Sequence, residues 1–225
     1  MDLDERQPLS TPRLSAISFP PASGGRPEQI VLALHGYGAD ANQFVPVLRR
    51  WAAYLPDAEL VALHGPAPCG LHPQGREWFE LTNLPAALLA RARATAPLVE
   101  AFIAEILAAR GLGAERLALA GFSQGAVVSL YLGPRRRPPI GAVVSFAGVL
   151  VGADDLGALG ARPRVLLVQG KLDRMVRIQA MHAAQAALRD RGAHVECLIR
   201  DAGQHEIDDA GIDGAGGFLR QALVG

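Results

Sequence analysis

Short apolar runs alternate with longer segments of helical composition along most of the chain. Most of these runs are almost continuously apolar, which is typical of strands that are buried on both faces. We predict strands at residues 30–34, 59–63, 116–120, 140–146, 165–169 and 194–199. Helices are predicted at residues 42–54, 86–110, 124–132, 179–191 and 212–223. This alternation predicts an α/β protein with a mostly parallel central sheet and helices on both faces.

Glycine and proline mark the places where the pattern is interrupted. Segment 65–85 is rich in both residues and has no clear hydrophobic period, which is typical of a functional loop or lid. Pro97 is expected to split or kink the helix at 86–110. The last predicted helix is weakened by three glycines, Gly214, Gly216 and Gly217. Residues 1–13 are interpreted as a flexible tail, which leaves residues 14–225 as a single domain.

Length and composition narrow the class of protein. A chain of 225 residues, half of them hydrophobic, is long enough for one domain with a sizeable core. Lys plus Arg and Asp plus Glu both number 22, so no overall charge attracts nucleic acid or anionic lipid. The amino terminus does not resemble a secretory signal, and two cysteines are too few for a disulfide framework. We expect a cytoplasmic protein that binds no nucleic acid and is not stably inserted in a membrane.

The strongest chemical motif is the run Gly121-Phe122-Ser123-Gln124-Gly125. It matches the nucleophile elbow Gly-x-Ser-x-Gly, in which small neighbours let a serine occupy a strained turn between a strand and a helix. The run follows a predicted strand and opens a predicted helix, which favours an elbow over a glycine-rich turn with an incidental serine. At the helix N-terminus, the Gln124 amide can donate to a developing oxyanion.

A serine nucleophile needs a base, and the base needs an acid that orients it. In chains with this elbow the order is serine, then the acid, then histidine. His205 follows the last predicted strand and is favoured over the other histidines, His35, His64, His72, His182 and His194. For the acid, Asp173 follows the strand at 165–169 and is favoured over Asp154, Asp155 and Asp201.

A second oxyanion donor is expected in the loop after the first strand of the core. The run His35-Gly36-Tyr37-Gly38 lies there, and the Tyr37 amide is the expected donor. His35 is interpreted as a structural hydrogen-bonding residue. No pair of His or Cys residues has zinc-binding spacing and no phosphate-binding loop is present, so neither a metal nor a cofactor is expected.

These motifs resemble the phospholipase/carboxylesterase family of α/β-hydrolases, which includes acyl-protein thioesterases and small bacterial carboxylesterases. The resemblance extends from about residue 30 to the end of the chain. It is carried by Leu34-His35-Gly36-Tyr37-Gly38-Ala39-Asp40, Pro66-Ala67-Pro68 with Trp78-Phe79, Ala120-Gly121-Phe122-Ser123-Gln124-Gly125-Ala126 and His205-Glu206-Ile207. It implies an α/β-hydrolase fold without a separate cap domain, and a triad of Ser123, Asp173 and His205.

The resemblance also implies a substrate pocket. Val149 and Met175 match positions that line the acyl pocket in the family, and Trp78 lies in the loop over it. The chain departs from the family after the acid, where the usual Pro-Val-Val-Pro is replaced by Arg174-Met175-Val176-Arg177. Before the histidine, Gln204 replaces the usual glycine. Both departures are expected to alter the rim of the pocket.

The expected activity is hydrolysis of a carboxylic ester or thioester through an acyl-enzyme on Ser123. Lysophospholipase, acyl-protein thioesterase and a non-catalytic ligand-binding protein of the same fold stay open as alternatives. The expected partner is a small-molecule or lipid ester, and a homodimer also stays open. The run Arg135-Arg136-Arg137 is interpreted as a solvated loop, with contact to an anionic group as its alternative.

Overall fold

The computed structural model describes residues 14–159 and 163–225, and the expected tail at residues 1–13 lies outside them. The strands are β1 (Ala16–Phe19), β2 (Gln29–Leu34), β3 (Ala58–Leu63), β4 (Ala67–Pro68), β5 (Arg76–Glu77), β6 (Leu117–Phe122), β7 (Ala142–Phe146), β8 (Arg164–Gly170) and β9 (Val195–Arg200). The α-helices are α1 (Val45–Trp51), α2 (Pro85–Arg110), α3 (Gln124–Leu132), α4 (Ile178–Asp190) and α5 (Asp209–Leu223). The predicted alternation of strands and helices is confirmed.

Seven of the strands form one sheet in the order β1-β3-β2-β6-β7-β8-β9. All neighbours in it are parallel except β1, which pairs antiparallel with β3. The remaining strands, β4 and β5, form a separate two-stranded ribbon. The mostly parallel sheet that the sequence predicts is therefore confirmed, and the elbow serine follows the central strand β6.

Alternate side chains of the central strands enter two different hydrophobic layers, as the pleat of a strand requires. In β2, Ile30, Leu32 and Leu34 face the layer that contains α2, α3 and α4. Val31 and Ala33 face the opposite layer, with α1 and α5. All six residues of β2 are buried, which explains why the sequence after Gln29 is a continuous apolar run. Within the described residues, no helix is both long and apolar enough to cross a membrane.

Of the two outcomes expected at Pro97, a split or a kink of the second helix, the split is wrong. α2 is a single helix of 26 residues that contains Pro97 in its interior. Its buried side, which includes Ala92, Val99 and Ile103, packs into the core on both sides of the proline. This packing keeps the chain helical although proline removes a backbone hydrogen bond. Pro85, at the start of α2, occupies a position where that missing donor costs nothing.

Candidate active site

Ser123 occupies a strained turn between β6 and α3. Its φ of 50° and ψ of −111° lie outside the regions that L-residues usually adopt. A Cβ on Gly121 would overlap the main chain of Gly125, and one on Gly125 would overlap the Leu34 carbonyl. Both positions thus require glycine, and the turn is held by a hydrogen bond of 2.9 Å from the Ser123 amide to the Phe146 carbonyl. The elbow geometry presents the hydroxyl above the sheet.

The structure brings Ser123, His205 and Asp173 into one chain of hydrogen bonds. Ser123 Oγ lies 2.9 Å from His205 Nε2, and His205 Nδ1 lies 2.8 Å from Asp173 Oδ2. A carboxylate can only accept, so Nδ1 carries the proton and Nε2 is left to accept from the serine hydroxyl. This tautomer is the one that a general base acting on serine requires.

Asp173 is buried and fully hydrogen-bonded. Its Oδ1 accepts from the amides of Met175 and Val176, at 2.8 and 2.9 Å. Its Oδ2 also accepts from Gln169 Nε2, at 3.0 Å. Burial alone would raise the pKa of Asp173, but the bonds from Val176, His205 and Met175 outweigh it and hold that pKa below its ordinary value. Asp173 therefore stays ionised beside the imidazole.

The three rival carboxylates lie elsewhere. Asp201 is exposed and lies 3.5 Å from Lys171 Nζ. Asp155 forms an ion pair of 2.8 Å with Arg93, and Asp154 lines the edge of a cavity. Asp173 is the only carboxylate within the described residues that is hydrogen-bonded to His205.

Two backbone amides near Ser123 have no acceptor among the described residues. In the loop after β2, the Gly36 amide donates to Gln43 Oε1 at 2.9 Å and the Gly38 amide donates to the Arg76 carbonyl at 3.0 Å. The Tyr37 amide between them is left free. Gln124 is the first residue of α3, so its amide has no acceptor within the helix. Both amides are available to a negatively charged oxygen.

The structure places Trp78 differently from the expectation. Its side chain is 2% exposed and lies beneath the cavity, with Nε1 donating to the His35 carbonyl at 2.9 Å. The indole N–H gains a buried acceptor there, whereas an apolar pocket wall would leave it without one. The neighbouring Phe79 lines the cavity instead. The Gln124 side chain joins the two, since Oε1 accepts from the Trp78 amide at 2.8 Å and Nε2 donates to the Phe79 carbonyl at 2.7 Å.

A cavity of about 900 Å³ opens beside Ser123 and His205. Val149 and Met175 line it, as the sequence suggests, and Met175 is 77% exposed at its mouth. Most of the wall is apolar and comes from α2, α3 and the segment after β7, with Leu88, Leu89, Val127, Leu150 and Val151. Within the described residues, no group of three or more His, Cys, Asp or Glu side chains could hold a metal ion.

A parallel sheet whose central strand ends in a nucleophile elbow defines the molecule as an α/β-hydrolase. A family model described as Phospholipase/Carboxylesterase matches residues 21–223, which is nearly the whole chain. The chain therefore belongs to the phospholipase/carboxylesterase family, and it is a carboxylic ester hydrolase.

Individual relatives agree with this assignment. The chain is 28% identical to esterase YpfH of Escherichia coli (strain K12) over 198 residues, which cover 87% of this chain and 84% of that protein. The crystal structure of esterase PE8 matches 94% of this chain and 100% of its own, with 36% identity and a TM-score of 0.87. A carboxylesterase from Mesorhizobium loti shares the fold, with 24% identity, a TM-score of 0.70 and 94% of each chain covered.

Proposed function

We propose that this esterase works through an acyl-enzyme on Ser123, with His205 as the general base and Asp173 as the acid that orients it. The observation that carries the proposal is the unbroken chain of hydrogen bonds, 2.9 Å from Ser123 to His205 and 2.8 Å from His205 to Asp173. No other serine of the described residues has a hydrogen bond to a histidine.

In the first step, Ser123 Oγ attacks the carbonyl carbon of the ester while its proton moves to His205 Nε2. The carbonyl π electrons move onto oxygen, and the free amides of Tyr37 and Gln124 stabilise this oxyanion. Asp173 stabilises the imidazolium that forms. When the tetrahedral intermediate collapses, the bond to the alcohol oxygen breaks and His205 returns the proton to that oxygen. The acyl group stays on Ser123.

In the second step, water takes the place of the alcohol. His205 removes a proton from the water as its oxygen attacks the acyl carbon, and the same two amides stabilise the second oxyanion. Collapse breaks the bond to Ser123 Oγ, which recovers its proton from His205. The products are a carboxylic acid, an alcohol and the original enzyme.

We propose esters with an apolar acyl group, from small molecules or lipids, as the substrates. The apolar wall of the cavity supports this proposal, because it offers no buried charge to pair with an ionised acyl chain. We also propose a cytoplasmic location. Cys69 and Cys197 are both unpaired, which suits a reducing compartment.

The test is hydrolysis of p-nitrophenyl esters together with labelling by a fluorophosphonate. We expect Ser123→Ala to lose turnover by roughly 10³-fold or more and to lose all labelling, since the nucleophile is removed. A non-catalytic binding protein of this fold would not label even as the wild type. Full activity of Ser123→Ala, with its fold checked by circular dichroism, would refute the mechanism.

The acid is tested by a matched pair of variants. Asp173→Asn should lower kcat by orders of magnitude because it removes the ionised partner of His205. Asp201→Asn is the control, since Asp201 is exposed and interacts with Lys171 alone. The reverse ranking of these two variants would assign the role to Asp201.

A further inference from the structure

One wall of the cavity is formed by residues 149–154, which lie in the loop after β7. Apart from a short 3₁₀ turn at Ala153–Asp155, this segment has no regular structure that could satisfy its carbonyl groups. Arg135 satisfies two of them: its Nη2 donates to the carbonyls of Val151, at 3.3 Å, and Gly152. One guanidinium thus bonds to two carbonyls of this wall, and the Gly152 carbonyl also accepts from the Asp155 amide at 3.1 Å.

Arg135 is itself firmly anchored to the end of α3. Its Nη1 donates to the Tyr131 carbonyl at 2.8 Å, and its guanidinium lies 4.2 Å from the centre of the Tyr131 ring. Burial lowers the pKa of Arg135. A second arginine supports the same segment from α2, because Arg93 Nη2 donates to Asp155 Oδ2 at 2.8 Å. The wall is therefore tied to both helices between which the cavity lies.

The backbone at Gly152 is a second observation that links the segment to Arg135. Its φ of +65° lies in the left-handed region. A Cβ at this position would lie 2.9 Å from Arg135 Nη2 and 2.8 Å from Leu89 Cδ1. The left-handed turn therefore favours glycine, and any side chain here would displace the end of Arg135 or of Leu89, which lines the cavity.

Arg135 lies beyond the end of α3, which separates it from Ser123 along the chain. Gln124 begins the helix directly after Ser123, and Val127 lines the cavity. Tyr131 follows Val127 by four residues on the same side of the helix, and Arg135 lies in the short 3₁₀ turn Gly133–Arg135 that comes after α3. At 1.5 Å per residue, α3 alone spans about 12 Å. We therefore expect a short acyl group on Ser123 to end before the part of the wall that Arg135 contacts, and a long one to reach it.

We propose that Arg135 is a specificity-determining residue, which fixes segment 149–154 as a wall of the acyl cavity and so sets the acyl length that the enzyme prefers. Arg135 is a positioning residue, because it acts through the main chain of this wall. The inference rests on the proposed acyl-enzyme function, whose substrate class it deepens. It replaces the interpretation of Arg135 as part of a solvated loop.

The experiment compares Arg135→Met with the matched control Arg137→Met. Methionine keeps much of the aliphatic stem and removes the guanidinium. Arg137 is exposed and donates to the carbonyls of Pro134, Arg136 and Ala158, none of which belongs to the wall. For Arg135→Met, we expect kcat/KM for long-chain p-nitrophenyl esters to fall roughly tenfold, mainly through a higher KM. For p-nitrophenyl acetate, kcat/KM should stay within about twofold of the wild-type value. Arg137→Met should keep the wild-type profile.

An equal loss on all esters, or an unchanged preference for acyl length, would overturn the proposal. Arg135→Lys gives a milder variant, since it keeps the charge but cannot bridge several carbonyls, and it should shift the profile in the same direction.

Hydrogen exchange tests, independently of turnover, whether Arg135 holds the wall in place. The amides of residues 149–155 should exchange faster in Arg135→Met than in Arg137→Met, and unchanged exchange would refute the role of Arg135. A wild-type enzyme that fails to label at Ser123 would instead contradict the proposed function, while the exchange result would still decide the role of Arg135.

Discussion

At the scale of single residues, His35 is fully buried next to the free amide of Tyr37. Its Nδ1 lies 2.7 Å from the Gly36 carbonyl, and its Nε2 lies 2.8 Å from the Gly65 amide. The first contact requires a proton on Nδ1 and the second requires a lone pair on Nε2, so the neutral imidazole fits this site. Burial lowers the pKa of His35 to about 4, with smaller effects from Asp40, His64 and Arg76.

This buried histidine predicts a pH dependence of stability. In the unfolded chain a histidine has a pKa of about 6.5, so between pH 6.5 and 4 the unfolded state binds a proton that the folded state excludes. The contribution is complete above pH 6.5 and is lost as the pH falls. We expect the free energy of unfolding to drop by about 2 kcal/mol from pH 6.5 to pH 5, measured by urea denaturation.

This prediction is tested by replacing His35, with a solvent-exposed histidine as the control. His35→Gln offers an amide oxygen to Gly65 and cannot titrate, so it should flatten the slope between pH 6.5 and 5. His182→Gln, at an exposed position of α4, should keep the wild-type slope. An unchanged slope in His35→Gln would mean that other groups cause the pH dependence. Asp173 and Glu59 do not act in this range, because their lowered pKa values place their titration at lower pH.

Sequence reasoning predicted the three residues that the structure joins by hydrogen bonds, Ser123, His205 and Asp173. The elbow around Ser123 has a local signature, and Asp173 and His205 follow from the chain order of the fold. Supporting residues were missed, namely Gln169, which donates to Asp173, and Thr95 and the side chain of Gln124, which bond to the segment at Trp78 and Phe79. The partners of Thr95 and Gln124 are distant in sequence, as in the bond of 3.0 Å from Thr95 Oγ1 to the Trp78 carbonyl. The only sequence signal for them is a polar residue within an apolar strand or helix.

At the scale of elements, α5 contains two adjacent glycines with different surroundings. A Cβ on Gly217 would meet nothing within 4 Å, whereas one on Gly216 would lie 2.6 Å from Cδ2 of the Tyr54 ring. Tyr54 is held in place by a bond of 3.2 Å from its hydroxyl to Asp213, so the ring cannot easily move away. Glycine thus weakens this helix through backbone entropy at Gly217, whereas at Gly216 it permits the close approach of α5 to the Tyr54 ring.

These glycines give opposite predictions for the same substitution. Gly217→Ala should raise the free energy of unfolding by about 0.5–1 kcal/mol, because alanine restricts the unfolded chain and favours the helix. Gly216→Ala should lower it by about 1–3 kcal/mol, because the methyl group forces the Tyr54 ring to shift. Urea denaturation of both variants measures the two effects. A gain in stability for Gly216→Ala would show that the approach of α5 to Tyr54 is not as close as described, and a loss for Gly217→Ala would contradict the entropy argument.

The strength of the sequence pattern explains which elements it predicted. β2, β6 and β7 are buried on both faces, so their apolar runs are unmistakable. β1 escaped prediction because it is an edge strand with partly exposed side chains and no apolar run. Whether α2 continues through Pro97 was left open by the sequence, because tertiary packing on both sides of the proline cannot be derived from local preference.

At the scale of the whole molecule, one sheet separates two hydrophobic layers, and each layer contains one of the two tryptophans. Trp78 packs with α2 and α3, while Trp51 packs on the opposite face with α5. Trp51 also stacks on Phe146 of β7 and donates to the Ile212 carbonyl at 2.8 Å. The chain has no further tryptophan, so fluorescence can report on each layer alone.

We propose that residues 14–225 unfold as one cooperative unit, because the central strands bury side chains in both layers and neither layer can open without exposing the other. Trp51→Phe leaves Trp78 as the reporter, and Trp78→Phe leaves Trp51. Each variant loses stability, but within each the urea midpoint from fluorescence should coincide with that from far-ultraviolet circular dichroism. If the fluorescence midpoint differed from the circular dichroism midpoint in either variant, the chain would unfold in separate parts and the proposal would be wrong.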